Sequence, residues 1–141
     1  MKYLVTLSVV FFYVQIVNAQ ATKRRPVDFD NGDLVVSSTG RLQDGELSKS
    51  TNPYSEFITG VFNENTVSSN IPSIIQNGIA FIKFDTDNGH VKKGDYITSS
   101  VKTGRAMKSL KSGVMVGVAM ENSRNLNGLL KIRVQVGWVK L

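Results

Sequence analysis

At 141 residues, 41% hydrophobic and 20% charged, the chain has the make-up of one globular domain, neither disordered nor collagen-like. The absence of cysteine excludes a disulfide framework and a thiol nucleophile, and with a single histidine it argues against a structural zinc site. Seventeen Lys and Arg against eleven Asp and Glu give +6, which becomes +5 once Lys2 departs with a cleaved leader.

Residues 1–19 read as that leader. Lys2 precedes an apolar run from Leu4 to Val14, and Val17-Asn18-Ala19 precedes Gln20 in the manner of a signal-peptidase site. The run is short of the ~20 apolar residues that a membrane helix needs. Export to the periplasm, the cell surface or the extracellular space follows, leaving the 122 residues from Gln20 onward. No cysteine follows the apolar run, so a lipoprotein anchor is excluded. Residues 20–30 form a basic arm carrying Lys23-Arg24-Arg25. An oxidising space favours disulfides in small domains, and none is available here. The core must suffice alone, which ~120 residues permit by burying about two-thirds of the unfolded surface.

Residues 31–141 read as a single β-domain built from two repeats, about 31–84 and 93–136. Gly32-Asp33-Leu34-Val35-Val36-Ser37-Ser38 returns as Gly94-Asp95-Tyr96-Ile97-Thr98-Ser99-Ser100. Thr39-Gly40-Arg41 and Lys49-Ser50 return as Thr103-Gly104-Arg105 and Lys108-Ser109. Gly60-Val61-Phe62-Asn63-Glu64-Asn65 returns as Gly117-Val118-Ala119-Met120-Glu121-Asn122 with the same internal spacing. Asn77-Gly78 through Phe84 returns as Asn127-Gly128 through Val134, and a longer Thr66 to Gln76 insertion is confined to the first half. The short β-type runs lack helical periodicity, which predicts an all-β, compact pseudo-twofold duplicated barrel or sandwich. Alternation in Phe81-Ile82-Lys83-Phe84 and Lys131 to Val136 predicts strands with one buried face. The apolar run Val114 to Met120 predicts a central strand covered on both sides, and the two Asn-Gly pairs predict tight turns feeding the last strand of each half.

The order of motifs over Asn31 to Trp138 resembles a β-domain found near the C-termini of bacterial surface proteins and phage tail-fibre or tail-appendage proteins. The residues that carry it are Asn31-Gly32-Asp33-Leu34-Val35-Val36, Lys49-Ser50-Thr51-Asn52-Pro53-Tyr54, Ile58-Thr59-Gly60-Val61, Val91 to Ser100, Gly104-Arg105-Ala106-Met107-Lys108 and Val134-Gln135-Val136-Gly137-Trp138. The stretch from Gly94-Asp95-Tyr96-Ile97-Thr98-Ser99-Ser100 to Met107-Lys108 is its specific part. The resemblance implies an extracellular structural or adhesive module, often part of a trimeric fibre. Some phage-appendage relatives perform one intermolecular self-cleavage with acidic residues, and no matching cleavage motif occurs in this chain. It also stands behind a signal peptide without a long fibre shaft.

The repeated residues Gly32, Asp33, Gly60, Glu64, Gly94, Asp95, Gly117 and Glu121 are read as turn-formers, in preference to acid/base or Ca²⁺-binding carboxylates. Asp85-Thr86-Asp87-Asn88-Gly89 begins like a Ca²⁺ loop but lacks the later acidic residue, so a solvated hairpin turn is expected. His90, the sole base available to a Ser-His-acid set, has no second His nearby, and Ser99-Ser100 lacks a nucleophile-elbow pattern. Lys102, Arg105, Lys108 and Lys111 form the candidate polyanion contact; without interleaved aromatics they argue against nucleic acid. Trp138 is expected to close the core. The leading reading is a secreted, non-enzymatic assembly module with protein partners, as a homo-oligomer such as a trimer or within a larger surface complex. No catalytic, cofactor or metal residue is assigned. A self-cleaving or hydrolytic domain using acidic residues and a glycan- or polyanion-binding module are the alternatives.

Overall fold

The computed structural model describes residues 28–64 and 73–141. The signal segment and Lys23-Arg24-Arg25 lie outside the described residues, as do Asn65 of the first repeat and residues 66–72 of its insertion. The described chain is all-β. Its strands are β1 (Leu34–Ser37), β2 (Leu47–Lys49), β3 (Ile58–Phe62), β4 (Ile74–Ile75), β5 (Asn77–Asp85), β6 (Tyr96–Ser99), β7 (Ala106–Lys108), β8 (Gly113–Ala119) and β9 (Asn127–Val139). Four of them make an open sheet in the order β2-β1-β3-β4, and five close a barrel in the order β5-β7-β6-β8-β9. Every pairing is antiparallel except the single contact of β5 with β7, Phe84 opposite Ala106.

The open sheet and part of the barrel share one pattern. The order β2-β1-β3-β4 is matched by β7-β6-β8-β9. Val35 faces Lys49 as Ile97 faces Lys108, and Leu34 faces Val61 as Tyr96 faces Val118. The last repeated block departs from this correspondence. Beside β3 stand Ile74 and Ile75, whereas beside β8 stands the middle of β9. A bend at Gln76 ends β4 after two residues and sends β5 into the barrel. There β5 runs antiparallel to β9 from Asn77 opposite Gln135 to Asp85 opposite Asn127, with Phe81 opposite Lys131 at the centre. Asn77-Gly78 and Asn127-Gly128 are the first residues of β5 and β9, already in that ladder rather than in turns ahead of it.

One buried cluster joins the two sheets. Leu34, Ile58 and Val61 come from the open sheet, and Ile82, Phe84, Ile97, Val116, Leu130, Ile132 and Val134 from the barrel. Burial of each large side chain of this kind contributes about 1.5–3 kcal/mol. Alternation explains which residues enter: Ala80, Ile82 and Phe84 of β5 point inward while Ile79 and Phe81 point out. In β8, which lies between β6 and β9, Met115, Val116 and Gly117 are buried in succession where the register against β9 shifts and where β3 of the open sheet approaches. Trp138 does not close the core. Between Val134 and Gly137 the register against β8 shifts by one residue of β9, which breaks the alternation that puts Ile132 and Val134 inside, and beyond the shift the indole is 66% exposed opposite Val114.

Candidate functional site

The two Gly-Asp pairs build matching nodes at the entrances to β1 and β6. Gly32 and Gly94 hold φ of 90° and 93°, a region that side chains with a Cβ seldom adopt. The Asp33 carboxylate accepts the Asp30 N–H at 2.7 Å, and the Asp95 carboxylate accepts the Lys92 N–H at 2.8 Å. Their carbonyls then accept Phe62 N–H and Ala119 N–H, each at 2.9 Å, so each node pins the strand that follows to β3 or β8. Lys49 lies 3.3 Å from Asp33 as Lys108 lies 3.6 Å from Asp95.

Burial separates the nodes. Asp33 is almost fully buried and gains a second ammonium, Lys83, at 2.7 Å; exposed Asp30 bridges to the same two lysines at 3.4 and 3.8 Å. Desolvation pushes the Asp33 carboxyl up, but hydrogen bonds from Lys83, the Asp30 amide and Lys49, together with the Lys83 charge, outweigh it and hold the carboxyl below its usual range. Desolvation likewise pulls Lys83 down, and Asp33 with Asp30 outweighs it, raising the ammonium above its usual value. Both groups are ionised at neutral pH. With both carboxylate oxygens occupied by donors, Asp33 is committed to fixing strands rather than to moving protons.

The remaining candidate residues hold separate posts. Gly60 and Gly117, expected in turns, lie buried inside β3 and β8, where a Cβ would overlap the carbonyl oxygens of Ile75 and Arg133. They are glycine because two backbones approach closely, a strand role that the Gly-Val spacing alone does not reveal. Glu64 receives the Asn31 amide at 3.5 Å, and Glu121 receives the Lys131 N–H at 3.0 Å, so each ties a loop to its neighbour. Residues 85–89 form a turn rather than a hairpin, since β5 and β6 do not pair. Asp85, expected in solvent, is buried, and its Oδ1 accepts the Asp87 N–H at 3.0 Å. Ser99 and Ser100 are buried in backbone-directed bonds, Ser99 bridging the Asn52 carbonyl and the Ser55 N–H, while His90 is exposed.

The four basic residues are each engaged within the fold. Lys102 pairs with Asp87 at 3.1 Å, Arg105 donates to the Phe84 carbonyl at 3.1 Å, Lys108 pairs with Asp95, and Lys111 sits 4.3 Å from the ring centre of Tyr54. Tyr54 was not singled out by sequence reasoning. It holds φ at 52°, and its hydroxyl accepts bonds from the Asn88 amide and the Leu110 N–H, strapping residues 51–57 across the end of the barrel.

The surface sequence reasoning missed is the outer face of the β5–β9 ladder. Ile79, Phe81 and Leu129 are 55%, 53% and 56% exposed there, flanked by Lys131 and Arg133. The outward half of the same alternation that located the core marks them. Phe81 and Leu129 also border a cleft of about 200 Å³ floored by Gly32 and Phe62. On another part of the barrel, Tyr96, Gln135 and Trp138 border a cleft of about 330 Å³.

Among the described residues no helix is long and apolar enough to cross a membrane, and no three acidic or histidine side chains gather as a metal site requires. No family model matches the chain, and comparison with curated proteins and with solved structures returns no match. The fold defines the class: an all-β module in which an open sheet and a closed barrel share one core.

Proposed function

We propose that this chain is a secreted, non-catalytic β-module that works by assembly, as a component of a cell-surface or extracellular complex. That is the role implied by its resemblance to the C-terminal β-domains of bacterial surface and phage tail-fibre proteins. The observation that carries the reading is the apolar strip Ile79-Phe81-Leu129, three large side chains more than half exposed on one ladder. Contiguous exposed apolar surface rimmed by charge is what association surfaces present. The outer edges of β2 and β4 have no strand partner among the described residues, and an edge of that kind offers backbone groups that a neighbouring strand can complete. Light scattering coupled to size exclusion on the secreted chain from Gln20 tests it. A stable oligomer, a trimer if the fibre resemblance holds, is the expected result, and Phe81→Ser should weaken it. A monomer at every concentration removes self-assembly.

A second reading, a glycan-binding module, is favoured by Trp138. An exposed indole beside Tyr96 and Gln135 offers a stacking face and an amide to a sugar ring. Trp138 is the sole tryptophan, so a glycan that docks there changes the intrinsic fluorescence of the whole chain. Unchanged emission across a panel of neutral and anionic glycans would remove this reading.

A further inference from the structure

The fold divides the chain's charge unequally. Residues 28–64, which supply β1, β2 and β3, carry seven acidic and two basic side chains, a net −5. Residues 73–141, which supply β4 and the barrel, carry eleven basic and four acidic side chains, a net +7. Part of this imbalance is cancelled internally, where Lys83 meets Asp33 and Asp30. Among the described residues the remainder is not. Glu46 and Glu56 on one side, and Lys131 and Arg133 on the other, make no ion pair among the described residues.

Each of these sets lies beside apolar side chains. Glu46 lies on a groove of about 440 Å³ between β2 and residues 51–57, where Val36, Leu47 and Phe57 share a lining made mostly of serine, threonine and asparagine, and Glu56 precedes exposed Phe57 in the chain. Lys131 and Arg133 stand opposite Phe81 and Ile79 on the outer face of the barrel. One surface is concave, mostly polar and acidic, with Leu47 and Phe57 on it; the other is apolar and basic. They are complementary in charge, and they belong to the same molecule.

We infer that the occupant of the barrel's outer face is a second copy of this chain, which presents its acidic β2 groove to Ile79, Phe81, Lys131 and Arg133. This rests on the assembly reading above and gives it a partner and a geometry. The two surfaces differ, so the contact is heterologous. Every copy that uses its groove still offers its barrel face, and the assembly grows into a closed ring if the rotation closes, or a linear array if it does not. Exposed charge pairs are screened over about 8 Å at physiological ionic strength, so the contact weakens as salt rises.

Charge reversal in the full secreted chain, read by sedimentation velocity at low and high salt, tests the geometry. Lys131→Glu with Arg133→Glu makes both surfaces acidic; Glu46→Lys with Glu56→Lys makes both basic. Each double variant alone should associate at least about tenfold more weakly than the unaltered chain. An equimolar mixture should recover association between unlike variants, as heterodimers, open arrays or even-membered rings; a ring of odd number cannot close by alternation, so association rather than the original stoichiometry is the readout. Recovery also shows that both variants are folded. Should a variant misfold, the salt series on the unaltered chain still decides, since association indifferent to salt overturns the inference. An oligomer that survives both reversals, or a mixture that recovers nothing while each variant is folded, overturns the head-to-tail contact and leaves the assembly reading standing. An unaltered chain that is monomeric throughout overturns the head-to-tail contact and self-assembly with it.

Discussion

Asp33 and Asp95 occupy corresponding places and differ in what surrounds them, so they make a controlled pair. Asp33 is buried between two ammoniums, whereas Asp95 is partly open with one. Removing one partner of a buried ion pair leaves uncompensated charge behind, so Asp33→Asn should cost about 3 kcal/mol in urea unfolding. Asp95→Asn should cost about 1 kcal/mol or less, the range of partly exposed pairs. Equal costs would mean that burial does not govern the node. The pH dependence follows from the directions of the two shifts. Asp33 sits below its ordinary value of 3.8 in the fold, so its contribution is complete above that value and lost as pH falls through the lower folded value. Lys83 sits above its ordinary 10.5, so its contribution is complete below that value and lost as pH rises through the higher folded one. Asp33→Asn should therefore flatten the acid limb of the stability profile below pH 3.8. An unchanged acid limb would place the titrating group elsewhere.

At the scale of elements, periodicity was informative where a strand has a wet and a dry face, and silent where geometry depends on a distant partner. Alternation in β5 and β9 assigns Ile82, Phe84, Ile132 and Val134 to the interior, and the apolar run of β8 assigns it a central place. The bend at Gln76 was not legible, because nothing local distinguishes a strand that stays in one sheet from a strand that leaves it. Trp138 departs from expectation for a related reason: the alternation along β9 is interrupted by a register shift against β8 between Val134 and Gly137, which no local feature of the sequence marks. The buried glycines carry a signal that became readable only with the ladder in hand. At Gly117 a Cβ would meet the Arg133 carbonyl of β9, so the backbone rather than a flexible side chain has to give way. Gly117→Ala should cost about 1–3 kcal/mol, measured as a lowered unfolding midpoint. Gly137→Ala, in the neighbouring part of β9 where a Cβ meets nothing within 4 Å, should be close to neutral. A Gly117→Ala variant as stable as Gly137→Ala would show that β8 and β9 are less tightly apposed than the structure has them.

The whole molecule has two sheets and one core, and that arrangement determines how it unfolds. Leu34, Ile58 and Val61 of the open sheet are buried against the barrel's own apolar residues, and Gly32 and Lys83 join the two through an N–H to carbonyl bond of 2.8 Å. The Asp33 node likewise draws Lys49 from β2 and Lys83 from β5. Neither sheet can open without exposing the other's interior, and a segment of roughly 50 residues is close to the lower limit for an independent core. The chain should therefore unfold in one transition, with far-ultraviolet circular dichroism and native-state hydrogen exchange of β1 and β8 reporting the same free energy. Leu34→Ala, although it lies in the open sheet, should lower the protection of β8 and β9 by the same amount as that of β1, about 3 kcal/mol. Residues 73–141 expressed alone should lack that protection, because the barrel would then present the surface that Leu34, Ile58 and Val61 cover to water. Two separated transitions, or a Leu34→Ala effect confined to β1, β2 and β3, would show instead that the barrel is an independent unit to which the acidic sheet is only docked.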